Sequence, residues 1–277
     1  MATLLGAAEI REIAARIGVN PTKKLGQNFV VDANTCRRIV KVADVRSDDV
    51  ALEIGPGLGS LTLALLEVAD SVIAIEIDTR LAAELPNTVV AHGFDLEKLH
   101  VQNEDALTTQ SLPLEPTILV ANLPYNISVP VLLHFLEKFP TIRSGVVMVQ
   151  SEVADRLVAT PGSKSYGSPS VKATWWADLT GAGNVARQVF WPIPNVDSSL
   201  VRFLRHEAAG PEKERLVTFS VIDAAFAQRR KMLRSALSQL FSGAAEEAIS
   251  RAGIDPTARG ETLLLRDFMA IANTLEP

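Results

Sequence analysis

Two short segments carry residue types that could do chemistry. Glu53-Ile54-Gly55-Pro56-Gly57-Leu58-Gly59 stands between an apolar run and a helix-like stretch. Glycines permit a tight turn and let a ligand approach the backbone, and the start of the helix offers free N–H groups. Glu76 ends the next apolar run 21 residues after Gly55, where a carboxylate can accept hydrogen bonds from both hydroxyls of a ribose. The spacing G-x-G-x-G with such an acid suits an adenosyl ligand without a pyrophosphate, hence S-adenosylmethionine rather than NAD. The alternative for the glycines alone is a plain strand-to-helix turn.

The second segment is Asn122-Leu123-Pro124-Tyr125, just past a buried apolar run, where ligands bind in open α/β sheets. An asparagine oxygen and a backbone carbonyl can both accept from a planar amino group, and a tyrosine ring can stack on the base that bears it. Such contacts weaken the conjugation of the amine with its ring and leave the lone pair freer to attack a methyl group, with no general base required. A simple turn is the alternative here. Asp105 ends a weaker apolar run and could accept from the adenine amine of a cofactor, although an isolated Asp in that place is more often a helix cap.

The elements that must position these residues alternate between apolar runs and helical patterns over residues 50–200, as in a parallel sheet covered by helices on both faces. Strands are expected near 50–54, 71–76, 117–121 and 144–150, with a weaker one at 99–103, and helices near 60–69, 79–85, 129–138 and 151–158. After a loop rich in Gly, Ser and Pro, two extended segments at 171–180 and 195–204 could form an antiparallel hairpin at the sheet edge, with Trp175 and Trp176 packing there. From about residue 206 the apolar spacing turns helical over 213–241, and a last helix near 265–274 completes a small α-helical domain.

Composition narrows the classes. The chain has 277 residues with 47% hydrophobic and 21% charged, which fits an ordinary globular protein of one large and one small domain. A single cysteine, Cys36, allows no internal disulfide and no cysteine-based zinc site, and the four histidines are scattered, so no metal is expected and the chain reads as intracellular. The first eighteen residues have the charge spacing of an amphipathic helix and lack the pattern of a secretory signal. The uncharged run 116–136 holds three prolines and two asparagines, and reads as strand, loop and helix start rather than a membrane span. The net charge of −5 is concentrated: residues 41–110 hold 4 basic and 13 acidic side chains, whereas 1–40 hold 6 basic and 3 acidic. A local basic face therefore remains compatible with an acidic total, and local potential is what a phosphate backbone meets.

The segments Lys23–Phe29, Glu53–Gly59, Asn122–Tyr125, Phe190–Ser198 and Ala225–Lys231 together resemble, in the same order over roughly residues 20–270, the small-subunit ribosomal RNA adenine dimethyltransferases. This is the bacterial family whose loss gives kasugamycin resistance. The resemblance implies a Rossmann-like seven-stranded S-adenosylmethionine-dependent methyltransferase domain over residues 1–205, with a basic segment at about 20–30, and a small helical domain over 206–277 that contacts the subunit. It implies dimethylation of the 6-amino groups of two adjacent adenosines near the 3′ end of 16S rRNA in the 30S subunit, with S-adenosylhomocysteine as product. Asn28, Val30, Gly55, Gly57, Glu76, Asp105 and Asn122 are the cofactor contacts it implies. The expected catalytic set is Asn122 with the Leu123 and Pro124 backbone, Tyr125 stacking, and Phe190 as a second wall against the target adenine. Lys23, Lys24, Arg229, Arg230, Lys231 and Arg234 are expected at RNA phosphates, the last four on one helix; a solvated helix face is the bland alternative. Val30 in place of a usual leucine, Ser235 in place of a frequent asparagine and Leu264 in place of a helix-capping serine depart from the pattern. A cytoplasmic monomer is expected. The rival readings are an erythromycin-resistance-type 23S rRNA methyltransferase, disfavoured by Arg229-Arg230-Lys231, and an assembly checkpoint factor whose binding outweighs its chemistry.

Overall fold

The computed structural model describes residues 2–21 and 28–275, divided into two compact units: 1–154 with 180–205, and 155–179 with 206–277. In chain order the first unit begins with α1 (Ala7–Arg16), β1 (Phe29–Val30), α2 (Ala33–Ala43), β2 (Val50–Ile54), α3 (Ser60–Leu66), β3 (Ser71–Ile75) and α4 (Thr79–Ala91). It continues through β4 (Leu99–Gln102), β5 (Ile118–Asn122), α5 (Ser128–Lys138), β6 (Ser144–Gln150) and the start of α6 (Ser151–Leu157). After α7 (Ser168–Ala173) come β7 (Ala177–Val185), β8 (Phe190–Trp191) and β9 (Ser198–Arg205), then α8 (Glu212–Ala227), α9 (Leu233–Ala236), α10 (Ala245–Arg251) and α11 (Leu265–Ala272).

Seven strands form one sheet in the order β4-β3-β2-β5-β6-β9-β7, with β2 through β6 parallel and β9 antiparallel to β6. The parallel strands are buried on both faces, which is why β3 reads as the unbroken run Ser-Val-Ile-Ala-Ile rather than as an alternation. Chain order reverses between β2 and β5, so the C-terminal ends of these two strands open the crevice where such sheets bind ligands. The two-residue strands β1 and β8 pair separately, Phe29 opposite Trp191 and Val30 opposite Phe190.

Helix starts follow local chemistry. Asp32 caps α2 by accepting the Thr35 N–H at 2.9 Å, and Asp78 caps α4 by accepting the Arg80 N–H at 2.9 Å. α4 does not stop before Pro86 as the sequence suggests but runs through it to Ala91. An interior proline costs about 3 kcal/mol, and the burial of Leu81, Leu85, Thr88 and Val89 on one face of the helix offsets it.

The hairpin expected at 171–180 and 195–204 is corrected in part. β7 and β9 are neighbours at the sheet edge, but residues 168–173 form α7, which starts after Gly167 with Pro169 in its first turn. Trp175 and Trp176 lie between α7 and the strand, both edge-on to Phe219 of α8. Residues 155–179 thus group with the helical unit instead of with 1–205. Tyr166 and Val171 belong to the apolar cluster of Val221, Ile222, Leu237, Phe268 and Ile271, and the Tyr166 hydroxyl donates to the Leu263 carbonyl at 2.7 Å. No described helix is long and apolar enough to cross a membrane.

Candidate active site

The glycine loop leaves β2 and enters α3 with Gly55, Gly57 and Gly59 all at positive φ, a conformation that a side chain resists. Gly57 is constrained twice, because a Cβ there would come within 2.7 Å of the Phe29 ring. That ring in turn stacks on Trp191 at a centroid distance of 6.2 Å, so the β1 and β8 pair packs against the loop.

A cavity of about 340 Å³ opens above the loop, within the first unit and in the size range of small-ligand sites. All seven expected cofactor contacts line it: Asn28, Val30, Gly55, Gly57, Glu76, Asp105 and Asn122, together with Leu123, Pro124 and Tyr125. Residues 21 to 94 apart in sequence are brought to one wall because each sits at the C-terminal end of a parallel strand or on the segment folded over it.

Glu76, 5% exposed, is held at both oxygens: Oε2 accepts the Gly57 N–H at 3.1 Å and Oε1 accepts the Asp78 N–H at 3.0 Å. A carboxylate has about four acceptor positions, so one remains on each oxygen, enough for a vicinal diol. Burial pushes its pKa up, against the backbone N–H groups of Asp78, Gly57 and Ile77, which favour the charged form. Beneath it Glu53 is more deeply buried and accepts the Thr62 hydroxyl at 2.6 Å; burial pushes its pKa up to about 8, with the Glu76 charge adding to the rise.

Asn122 donates from Nδ2 to the Asn28 carbonyl at 3.2 Å. This contact orients the amide and leaves Oδ1 as its acceptor. The Leu123 N–H is tied to the Met148 carbonyl at 3.0 Å, while the Pro124 carbonyl accepts the Ile127 N–H at 3.2 Å. Pro124 itself has no N–H to donate. Tyr125 is half-buried, its hydroxyl 3.0 Å from Ser198 Oγ; burial pushes its pKa up, against the Ser198 contact. Asp105 takes the Leu107 N–H on Oδ1 at 2.9 Å in a turn that opens no helix, and it lines the cavity with its other oxygen uncommitted to that turn.

Several expectations change. Phe190 does not line the cavity: it is 2% exposed, pairs with Val30 and belongs to the main core. Arg229, Arg230 and Lys231 do not share a helix with Arg234. α8 ends at Ala227, the three follow in a turn closed by the Lys231 N–H on the Gln228 carbonyl at 2.8 Å, and Arg234 lies on α9. The break lets Leu233 bury itself, its N–H on the Ala258 carbonyl at 2.8 Å. Arg229 pairs with Glu261 at 2.8 Å and with the Ser163 carbonyl at 3.2 Å, and Arg234 lies 3.4 Å from Glu246. Arg230 and Lys231 are exposed. Lys23 and Lys24 lie outside the described residues. His134 sits on α5 with Nε2 2.7 Å from the Thr109 carbonyl, a structural contact.

Two wall residues were not singled out from the sequence. Ile77, 66% exposed beside the cavity, is an apolar residue left at a strand end between two acids, and that incongruity is the signal that could have found it. Ser60 opens α3, and its hydroxyl is buried with no hydrogen-bond partner among the described residues. A carboxylate set for a diol, an apolar platform and an orphaned hydroxyl fit an adenosyl amino acid. Among the described residues no group of His, Cys, Asp or Glu could hold a metal.

Residues 18–276 match the family of ribosomal RNA adenine dimethylases. The "Ribosomal RNA small subunit methyltransferase A" of Kineococcus radiotolerans is 57% identical over 275 residues, covering 98% of this chain and 92% of that one. The protein of the same name from Streptomyces griseus is 58% identical over 274 residues, covering 97% and 94%. Among solved structures, a dimethyladenosine transferase from Plasmodium falciparum shares the fold at a TM-score of 0.71 and 24% identity, covering 87% of this chain and 94% of that one. The 23S rRNA methyltransferase ErmE follows at 0.65 and 27%, covering 89% and 99%. With the glycine loop, the ribose-directed acid and the Asn-Leu-Pro-Tyr segment meeting in one cavity, a match over almost the whole chain leaves one assignment: the chain belongs to the ribosomal RNA adenine dimethylase family.

Proposed function

We propose that this chain uses S-adenosylmethionine to dimethylate the 6-amino groups of two adjacent adenosines near the 3′ end of 16S rRNA, in the small subunit, during ribosome biogenesis. The observation that carries this reading is that Glu76 and Asn122 line one cavity at the ends of β3 and β5. When bound, the cofactor supplies an electrophilic methyl group. The two remaining acceptor positions of Glu76 hold its ribose hydroxyls, Asp105 its adenine amine, and Ile77 the face of its base.

The chain's part in the transfer is positioning and electrostatics. Asn122 Oδ1 and the Leu123 carbonyl accept the two N–H groups of the target amine, which draws its lone pair out of conjugation and stabilises the positive charge that grows on nitrogen. Tyr125, anchored through Ser198, stacks on the extruded base. Arg230, Lys231 and Arg234 bind RNA phosphates with Lys23 and Lys24, while Arg229 chiefly braces its own unit through Glu261. We take the protein to act as a cytoplasmic monomer.

Methyl transfer from labelled S-adenosylmethionine to purified unmodified small and large subunits, with the nucleosides identified by mass spectrometry, tests this reading. Dimethyladenosine in the small subunit alone supports it. Product in the large subunit alone assigns the chain to the 23S group, and subunit binding without transfer assigns it a checkpoint role.

A further inference from the structure

A second groove of the first unit shares no residue with the cavity above. It is lined by Arg38, Lys41 and Val42 of α2, Thr180, Gly181 and Ala182 of β7, and Arg202 of β9. We propose that this groove is a docking surface for the phosphate backbone of the RNA substrate, an inference that rests on the function proposed above.

Three observations support it. The groove holds three cations, and among the described residues none of them is ion-paired, whereas their neighbours on and beside α2 are: Arg37 with Glu67 at 2.6 Å and Arg46 with Asp44 at 3.5 Å. Arg38 is preorganised, its guanidinium donating to the Asn184 carbonyl at 2.7 Å and lying where a Cβ on Gly183 would come within 3.2 Å. Its other N–H groups keep their hydrogen-bonding capacity for phosphate oxygens. Arg202 keeps its Nε buried with no hydrogen-bond partner among the described residues, a donor that costs free energy until something accepts from it.

The third wall adds to this. Among the described residues β7 is the last strand of the sheet, so one side of its backbone has no strand partner there, and Gly181 has none of them within 4 Å of where a Cβ would be. Backbone N–H groups and cations without carboxylate partners are what phosphate oxygens meet in protein complexes with nucleic acids. An acidic protein partner would find the cations but no apolar anchor at the centre, since Val42 and Ala182 are the only apolar residues of the lining.

The test is Arg38→Glu combined with Lys41→Glu, both exposed on α2, measured for binding to purified unmodified small subunits over a salt series. The expected result is a Kd raised about tenfold at low salt and a slope of log K against log salt reduced by about 2. Affinity for S-adenosylmethionine and the transfer rate at saturating subunit stay at the wild-type values, and Arg38→Lys with Lys41→Arg restores binding. Wild-type Kd and salt slope in the charge-reversed protein would overturn the groove alone. Failure of the wild-type protein to bind or methylate small subunits would instead overturn the function on which it rests.

Discussion

The Gly57 N–H donates to Glu76 Oε2 at 3.1 Å, joining the glycine loop to the acid of the neighbouring strand 19 residues away. The carboxylate that is to hold the ribose is therefore positioned by the loop that is to accept the rest of the cofactor. Binding chemistry and loop conformation stand or fall together.

Glu76→Gln follows from that contact. An amide keeps one acceptor oxygen and turns the other position into a donor facing a backbone N–H. Affinity for S-adenosylmethionine, read by calorimetric titration, should fall by roughly 10- to 100-fold, the range for losing a hydrogen bond to a charged group. Subunit binding should persist. If Glu76→Ala rescued subunit maturation fully in cells while binding no cofactor, the checkpoint role would outrank methylation.

Glu53 gives a pH signature. Its folded pKa of about 8 lies above that of an exposed carboxylate, so the folded chain holds a proton that the unfolded chain has released. The stabilising contribution is fully present below the unfolded value near 4.3 and is lost as pH rises through about 8, at about 1.4 kcal/mol per unit inside that window. Glu53→Gln, which can still accept from Thr62, should gain stability relative to wild type as pH is raised from 5 to 8. Urea denaturation at both values checks this, and a constant difference between the two proteins would refute it.

The sequence made the site more legible than its surroundings. Continuous apolar runs mark buried parallel strands whatever their neighbours, and Glu76 and Asn122 stand at the ends of such runs, so their place at one cavity was readable. Phe190 was misplaced because a two-residue strand has no period from which to read a face. Residues 171–180 read as extended chain, yet Gly167 with Pro169 starts a helix that runs over Ser168–Ala173. The grouping of residues 155–179 with the helical unit depends on contacts such as that of Tyr166 with Leu263, 97 residues apart, which no local pattern encodes.

The basic turn after α8 divides into two kinds of residue. Arg229→Ala removes an ion pair that is about two-thirds buried, and should lower stability by about 1 kcal/mol in thermal or urea denaturation. Arg230→Ala with Lys231→Ala should leave stability within about 0.5 kcal/mol and weaken subunit binding in a salt-dependent way. The reverse pattern would exchange their roles.

Leu264 offers a stabilising change. It occupies the N-cap of α11, 40% exposed and with no side-chain acceptor, while its own N–H donates to Asp267 Oδ2 at 2.8 Å. Serine there would complete the reciprocal cap, and Leu264→Ser should raise stability by about 1 kcal/mol with methyl transfer unchanged.

The most direct test is single-turnover methyl transfer by Asn122→Ala at saturating S-adenosylmethionine and small subunit. If Oδ1 polarises the target amine, the rate falls at least 100-fold, about 2.7 kcal/mol of transition-state stabilisation, while subunit affinity stays within a few-fold of wild type. A rate within a few-fold of wild type would contradict the role given to Asn122 and, with it, the placing of the target adenine at the end of β5.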